Sequence, residues 1–259
     1  MAQDPLGDRL KKYEEVETSA KFLPGVPLYA RVDGRCFSKV TKGLQRPFDE
    51  TFRSIMVSVA KALVQETGAL VAYVQSDEIS LGWHHPELDS EVWFGGRKFK
   101  MLSVLAAVAT AVFNAKAQGT LELQVTKLPP VFDARVFQVP NLFELYSCFL
   151  WRQKDCLKNA VSMAASCHFS HKELKNVSNK EKQEMLFRKG INFNDYPVAF
   201  KSGTFVKRFL RQVELTSEEL QRIPEGRRPK DRKVIRSYYE EFYIPKLSGQ
   251  EGPMFELFM

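Results

Sequence analysis

The chain has 259 residues, which is enough for one large domain or for a core with an appended part. Hydrophobic residues make up 44% of it, yet no apolar run reaches the roughly 18 residues that span a bilayer, so we expect no membrane segment. The net charge of +7 favours polyanionic partners such as nucleic acids and nucleotides. The four cysteines form no C-x-x-C pair, and the first residues lack the apolar core of a signal peptide. Together these features predict a cytoplasmic protein with reduced thiols.

The first 140 residues predict the element order β-α-β-β-α-β after a short N-terminal helix. Alternating apolar residues indicate the strands, and apolar residues at helical spacing indicate the helices. The predicted strands cover 28–32, the two arms of a hairpin at 70–83, and 131–139, and the predicted helices cover 8–21, 48–66 and 97–116. This order is typical of a ferredoxin-like α+β fold, with a four-stranded antiparallel sheet and two helices on one face.

We place a soft domain boundary near residue 140. It separates a catalytic part at 1–140 from a C-terminal part at 141–259 that packs on it. The C-terminal part contains predicted helices at 141–169 and 176–189, a strand or hairpin at 204–215, and a loop at 224–232 before an aromatic tail. From Lys201 to Arg236 it has eleven Lys or Arg against five Asp or Glu, which makes it a candidate polyanion-binding surface. A basic surface with no ligand is the alternative.

Two groups of carboxylates stand at predicted strand ends. Asp33 ends the first strand, and Asp77 and Glu78 lie at the turn of the hairpin that joins the second and third strands. Because the first and third strands are neighbours in this topology, the carboxylates can meet at one edge of the sheet. Oxygen ligands suit Mg²⁺, and such a site can hold two metal ions about 3.5–4 Å apart. The alternative is a solvated turn, since Asp and Ser are common turn residues.

Candidate phosphate ligands lie close to these carboxylates in sequence. The backbone around Gly34, Arg35, Cys36 and Phe37 can direct N–H groups at a phosphate. Arg97, Lys98 and Lys100 begin the second helix, where positive charge opposes the helix dipole, so an anionic ligand is expected there. Arg46 is a further candidate, and solvated charge is the alternative for all these cations. The carboxylates and the cations together favour phosphoryl or nucleotidyl transfer, in which catalysis is mostly positioning and charge stabilisation. No P-loop, dinucleotide-binding or G-x-S-x-G motif is present, so those three kinds of site are not expected.

Five motifs of the chain together resemble the tRNA-His guanylyltransferase superfamily, and their order and spacing match over nearly all of the first 210 residues. These motifs are Asp33-Gly34-Arg35-x-Phe37, Ser76-Asp77-Glu78-Ile79-Ser80, Arg97-x-x-Lys100, Phe132-Asp133-Ala134-Arg135 and Trp151-Arg152-Gln153-x-Asp155-x-x-x-Asn159. The resemblance implies a palm-like domain similar to that of ordinary polymerases. It also implies an enzyme that adds nucleotides to the 5′ end of RNA, in the direction opposite to those polymerases, with ATP or GTP as substrates and two Mg²⁺ ions per active site.

The resemblance also implies roles for individual residues. Asp33, the Gly34 carbonyl and Asp77 would bind the metal ions, and Glu78 would support them in the catalytic group. The nucleotide contacts implied by the resemblance or by the phosphate argument are Gly34, Arg35, Cys36, Phe37, Lys39, Arg46, Ser76, Arg97, Lys100 and Asn159. The candidate tRNA contacts in the basic C-terminal part are Lys201, Lys207, Arg208, Arg227, Arg228 and Lys230. The family is usually tetrameric, so we expect a homotetramer or a dimer.

The chain departs from the eukaryotic guanylyltransferase pattern in two places. That pattern has His after the D-G-R-x-F motif and a His-Ile-Asn-Asn stretch, and this chain has Ser38 and Val139-Pro140-Asn141-Leu142. These changes resemble the bacterial and archaeal Thg1-like proteins, which implies template-dependent repair of truncated tRNA 5′ ends. Addition of G to tRNA-His is the first alternative. A nucleotidyl cyclase and a non-enzymatic RNA-binding module are more remote ones, and no R-G-F-x-F motif of the RNA-binding kind is present.

Overall fold

The computed structural model describes residues 4–87, 92–123, 128–244, 246–247 and 257–258. Within them, a six-stranded antiparallel sheet in the order β4-β1-β3-β2-β5-β6 carries helices on both faces. The strands are β1 Leu28–Gly34, β2 Val71–Gln75, β3 Glu78–Trp83, β4 Phe132–Gln138, β5 Thr204–Glu214 and β6 Lys233–Phe242. The helices are α1 Pro5–Thr18, α2 Phe37–Val40, α3 Glu50–Thr67, α4 Lys98–Ala117, α5 Leu142–Ser166, α6 His171–Leu174, α7 Asn179–Arg188, α8 Val198–Ser202 and α9 Ser217–Arg222.

The first four strands confirm the predicted ferredoxin-like arrangement. β1 lies between β4 and β3 and is antiparallel to both. Helices α3 and α4 cover one face of this sheet because their apolar residues recur at helical spacing. Met56 and Leu63 of α3 and Phe113 of α4 pack with Val32 and Ile79 of the strands. The sequence therefore places the end of β1 and the β2–β3 turn at the same end of the sheet.

Helix α4 is long and apolar enough, by length and composition alone, to cross a membrane. One stripe of it, Met101, Leu105, Ala109 and Phe113, is fully buried in the same core as α3 and the sheet. A core helix of this kind passes the same test of length and composition, and we interpret α4 as part of the core.

Helix α5 covers the opposite face of the sheet. Asn141 caps its first turn by accepting a hydrogen bond from the backbone N–H of Glu144. Tyr146 and Phe149 of α5 then pack on Tyr29 and Tyr73, whose side chains point to this face. Further along, α5 packs against α7 and α8 around Val161 and Phe200. One helix thus links the sheet to the C-terminal helices, and it crosses the strands close to the predicted carboxylates.

The C-terminal strands join the same sheet. The predicted strand at 204–215 is β5, and its first four residues pair with β2. β6 falls partly in the predicted aromatic tail and was missed. Its residues are often charged or exposed, and it becomes a strand by pairing with residues 205–214 of β5. From Arg208 onward, β5 pairs only with β6, so the two strands leave the sheet as a ribbon. The division near residue 140 stays a prediction.

Candidate active site

The fold brings Asp33 and Asp77 to one end of the sheet. In the β1–β3 register, Asp33 lies opposite Glu78, the residue after Asp77. The backbone N–H of Gly34 donates a hydrogen bond of 3.1 Å to the carbonyl of Asp77, which ties the end of β1 to the β2–β3 turn. Asp33, Gly34 and Asp77 are all half-buried. The backbone therefore fixes the separation of the two aspartates, although they are 44 positions apart in sequence.

The β2–β3 connection is a two-residue turn made of Ser76 and Asp77, because Gln75 and Glu78 already pair across the two strands. Ser76 has a positive φ of 49°, a conformation that usually calls for glycine. Non-glycine residues in this region cost of order 1–3 kcal/mol and cluster at functional sites. The positive φ of Ser76 is therefore in keeping with the sequence prediction that Ser76 contacts the nucleotide.

The aspartates lie in an environment that favours a cation. Burial, with the nearby negative charges of Asp33 and Glu78, raises the pKa of Asp77 to about 6 despite hydrogen bonds that favour its charged form. Two carboxylates and the Gly34 carbonyl are hard oxygen donors of the kind that Mg²⁺ prefers. Within the described ranges, no group of three or more His, Cys, Asp or Glu side chains could hold a metal. These residues fit Mg²⁺ if water and substrate phosphates supply the other ligands, which is the usual case for this ion.

Glu78 is engaged differently from the aspartates. Its two carboxylate oxygens accept hydrogen bonds from Arg152, at 2.7 Å from Nε and 2.8 Å from Nη2. The side-chain amide of Gln75 donates a third bond of 2.9 Å to the same carboxylate. Glu78 and Arg152 are each only 8% exposed. Sequence reasoning gave Arg152 no role. The available signal was a charged residue on the otherwise apolar face of α5, between Phe149 and Cys156.

A cavity of about 750 Å³ opens beside the aspartates. Its wall is built by the end of β1, the segment from α2 to the start of α3, the β2–β3 turn, α5 and α8. This volume is in the usual range for sites that bind small molecules and cofactors. The predicted site residues that line it are Asp33, Gly34, Cys36, Phe37, Arg46, Ser76, Asp77, Glu78 and Asn159. The structure thus assembles most of the predicted nucleotide contacts around one space.

Part of the predicted phosphate-binding backbone is already occupied. The N–H of Gly34 donates to Asp77 and the N–H of Arg35 donates to the carbonyl of Val131 at 2.9 Å. These two amides are therefore not available to a phosphate, which corrects the expectation for the start of this stretch. The side chains of Arg35 and Lys39 are exposed and lie outside the lining of the cavity.

Arg97 and Lys100 are not brought to the aspartates. They lie where α4 begins, and the backbone of Arg97 pairs with that of Lys21 in an isolated antiparallel β-bridge, next to Phe22. This is the end of the sheet where Leu28 pairs with Trp83, about 17 Å along β1 from Asp33 at about 3.3 Å per residue. Their charges have local partners, since the Nε of Arg97 donates a hydrogen bond of 3.3 Å to the carbonyl of Phe94 and the Lys100 ammonium lies 4.5 Å from the centre of the Phe94 ring. Within one chain these two residues do not line the cavity that contains Asp33 and Asp77.

The candidate tRNA contacts are distributed along β5 and the ribbon. Lys201 lies in α8 beside the cavity, where its ammonium bonds the carbonyl of Asn194. Burial lowers the pKa of Lys207, which lies where β5 leaves the sheet. Arg227, Arg228 and Lys230 are exposed in the loop at the far end of the ribbon, and Arg208 is exposed near its start. The ribbon points away from the Asp33 end of the sheet, because β5 passes Val71 as it leaves β2.

Comparisons with known proteins agree with this geometry. The family model described as Thg1, tRNAHis guanylyltransferase, matches residues 7–140, which is more than half of the chain. The tRNA(His) guanylyltransferase of Saccharomyces cerevisiae is 30% identical over 212 residues, covering 75% of this chain and 87% of that protein. The Schizosaccharomyces pombe enzyme is 29% identical over 209 residues, covering 75% of this chain and 77% of that protein.

Solved structures extend the similarity to three dimensions. A bacterial Thg1-like protein in complex with ATP has a TM-score of 0.72 and 36% identity, covering 79% of this chain and 87% of that one. A bacterial Thg1-like protein in complex with GTP has a TM-score of 0.70 and 30% identity, covering 92% and 91% of the two chains. The family model, the relatives and the fold agree, and this chain belongs to the Thg1 family and is a nucleotidyltransferase.

Proposed function

We propose that this protein adds nucleotides to the 5′ end of truncated tRNA in the 3′-to-5′ direction, with base pairing to the opposite strand choosing each nucleotide. The observation that carries the proposal is the cavity of about 750 Å³ with Asp33 and Asp77 at its edge. Its size suits a nucleoside triphosphate, and its carboxylates suit the cations that accompany one. The ATP and GTP complexes of bacterial Thg1-like proteins, which share the fold, support the same ligand class.

The chemistry would proceed in two displacements at phosphorus. In the first, an oxygen of the RNA 5′-monophosphate attacks the α-phosphorus of ATP, and pyrophosphate leaves. In the second, the 3′-hydroxyl of the incoming nucleoside triphosphate attacks the activated 5′ phosphorus, and AMP leaves. Mg²⁺, when bound, would supply charge stabilisation for the attacking and leaving oxygens of both steps.

The chain's own residues would position the reactants. Asp33, the Gly34 carbonyl and Asp77 would hold two Mg²⁺ ions at the sheet end. Ser76 would contact the triphosphate from the turn, and Arg46 from the wall of the cavity, where its positive charge faces the same space. Catalysis of this kind is mostly positioning and charge stabilisation, so a rigid sheet end is a suitable platform for it.

A tRNA bound at the sheet end would extend beyond the surface of one domain. We assign its backbone contacts to Lys201 and to the basic residues of the β5–β6 ribbon, because base selection by pairing leaves the protein to recognise shape, phosphates and 2′-hydroxyls. We further propose a homotetramer or dimer in the cytoplasm, in which one copy holds tRNA for the active site of another.

The test is an extension assay with Mg²⁺, ATP, GTP and a 5′-monophosphorylated tRNA transcript that lacks its first nucleotide. Products are resolved at single-nucleotide length, with Asp77→Ala as the catalytic variant and Asp8→Asn, an exposed carboxylate in α1, as the control. A product one nucleotide longer, whose identity follows the opposite base, supports the proposal if Asp77→Ala abolishes it and Asp8→Asn does not.

Addition of G to tRNA-His is the second candidate function, because the curated relatives carry that name. The same assay distinguishes it. A product formed only on full-length tRNA-His, whatever base lies opposite, contradicts templated repair and favours this candidate. Tight tRNA binding without extension of either RNA contradicts both.

A further inference from the structure

The strongest ion pair near the aspartates is fully internal to the protein. Arg152 binds both oxygens of Glu78 in a bidentate pair, and its Nη2 also donates to Asp155 at 3.0 Å. The bond from Gln75 adds a third donor to Glu78. The Nε of Arg31 lies 3.7 Å from Oε2, the same oxygen that Arg152 Nη2 binds, which is beyond hydrogen-bond distance. Protein groups thus donate three hydrogen bonds to Glu78, which has about four accepting positions.

The position of this pair connects two walls of the site. Glu78 begins β3, immediately after Asp77, and its side chain shares a sheet face with that of Asp33, its partner in the register. Arg152 belongs to α5, which lines the cavity from the other side with Asn159. A bidentate arginine–carboxylate pair has a fixed, planar geometry. It therefore fixes the orientation of α5 relative to the turn that carries Asp77.

The pair also balances charge. Asp33, Asp77 and Glu78 are three carboxylates at one sheet end, and Arg152 is a buried cation that contacts one of them. A carboxylate freed at Glu78 would lie next to two metal-binding aspartates and would be attracted to the same cation. Buried charges that lose a partner perturb their surroundings more than exposed ones do.

We propose that Arg152 is a positioning residue, which holds the Glu78 carboxylate away from the metal ions and keeps Asp33 and Asp77 as the only side-chain ligands. This inference rests on the proposed function. It assigns Glu78 to the support of the turn and to no direct role in metal binding or proton transfer. Arg152 contacts neither the triphosphate nor the RNA in this assignment.

The experiment is a double-mutant cycle on this pair: Arg152→Met, Glu78→Gln and the double variant, with Arg152→Lys as the conservative change. The matched control is the exposed ion pair of Arg188 and Glu184 on α7, whose charged atoms lie 3.6 Å apart. The control variants are Arg188→Met and Glu184→Gln. For each variant we would measure kcat, the KM for tRNA and for ATP, and the Mg²⁺ concentration that gives half the maximal rate. Mg²⁺ binding without RNA is measured by calorimetry, and circular dichroism checks the fold.

Arg152→Met should lower kcat about 100-fold and tighten Mg²⁺ binding about tenfold, because a third carboxylate and one fewer positive charge attract the ion in an unproductive geometry. The KM for tRNA should change less than twofold. The double variant should return Mg²⁺ affinity to the wild-type value and recover about tenfold in kcat over Arg152→Met. The kcat and the Mg²⁺ affinity of Arg152→Lys should lie between those of the wild type and those of Arg152→Met. Both control variants should match the wild type.

A purely structural role of Arg152 predicts a different pattern. Replacing Arg152 would then partly unfold the protein and weaken Mg²⁺ binding, and the losses in kcat of the two single variants would add in the double variant. Either of those results contradicts the proposal, as does a rise confined to the KM for ATP, which would mean direct contact with the triphosphate. If Arg152→Met does not fold, Arg152→Lys and the double variant test the same coupling. If the wild type extends no RNA, the proposed function fails, and the calorimetric cycle still decides whether Arg152 controls the metal ligands.

Discussion

Two residues of the β2–β3 turn are unfavourable for the stability of the folded protein. Ser76 is so because of its backbone conformation, and Asp77 because of its buried charge. Ser76 has a left-handed conformation, and the pKa of Asp77 is raised to about 6. A protein selected for stability alone would place glycine at the first position and a neutral residue at the second. Both residues line the cavity. Both features are expected of a turn that binds a ligand at some expense to the stability of the empty protein, and the loss of stability can be measured at each residue.

The first measurement compares Ser76→Gly with Ser76→Ala. Glycine adopts a positive φ without strain. The free energy of unfolding of Ser76→Gly should therefore be higher than that of the wild type or within about 1 kcal/mol of it. Alanine keeps the unfavourable φ, so the free energy of unfolding of Ser76→Ala should be no higher than that of Ser76→Gly. Both remove the hydroxyl and should raise the KM for the nucleoside triphosphate at least about fivefold. Chemical denaturation and steady-state kinetics test this, and an unchanged KM in both variants would remove Ser76 from the triphosphate contacts.

The second measurement is the stability of Asp77→Asn without metal. Because the folded-state pKa of Asp77, about 6, exceeds its unfolded value of about 4, the folded protein binds the proton more tightly, and stability is lost as pH rises from about 4 to about 6. At pH 8 the asparagine variant should therefore be more stable than the wild type by about 1–3 kcal/mol, and at pH 4 the two should converge. Adding Mg²⁺ should stabilise the wild type and not the variant.

Thermal unfolding at pH 4, 6 and 8, with and without Mg²⁺, decides the point, and Asp8→Asn serves as the control. Equal stability of Asp77→Asn and wild type at all three pH values would mean that the Asp77 carboxylate is not destabilised in the folded protein.

Among the helices and strands, the ones that could be predicted are those whose burial is specified by the apolar pattern of their own sequence. The strands around Val32 and Ile79 and helices α3 and α4 were predictable because their own apolar spacing specifies burial. β6 was not, because its strand conformation depends on pairing with β5, and the two strands are separated by α9 and a loop. The partner of Glu78 was only partly indicated. The apolar face of α5 marks Arg152 as a buried charge, but the carboxylate that it meets depends on how α5 crosses the sheet, which no sequence spacing encodes.

The β5–β6 ribbon is the element whose assigned role is most open to direct test. Arg227, Arg228 and Lys230 lie past the point where β5 leaves the sheet, and the ribbon extends about 23 Å from Lys207 to Glu214 at about 3.3 Å per residue. Replacing the three with Gln should weaken tRNA binding uniformly across tRNA sequences and reduce the salt slope of log Kd by about two to three. The rate of extension at saturating tRNA should not change.

Binding is measured between about 50 and 200 mM salt, with Lys172, Lys175 and Lys180 replaced by Gln as the control, since these are exposed on the α6–α7 segment. A salt slope that stays at the wild-type value in the ribbon variant, or that falls equally in the control, would move the RNA surface away from the ribbon.

At the scale of the whole molecule, two sequence predictions agree only if more than one copy is involved. Arg97 and Lys100 were predicted to contact the triphosphate, yet they lie at the other end of the sheet, about 17 Å along β1 from Asp33 within one chain. A homotetramer or dimer was also predicted. If both predictions hold, the start of α4 in one copy reaches the cavity of another, and the active site is shared between subunits.

Complementation tests this directly. The Asp77→Ala variant keeps its α4 cations and the double variant Arg97→Ala/Lys100→Ala keeps its aspartates, so each alone should be inactive. Co-expression as a mixed oligomer should restore a measurable fraction of extension activity, up to about a quarter of wild type if copies pair at random in a dimer. Wild-type activity in Arg97→Ala/Lys100→Ala alone would show that these cations serve only their contacts with Phe94. Two inactive variants that fail to complement in a confirmed mixed oligomer would mean that the cations act within their own chain, by a movement larger than the length of β1.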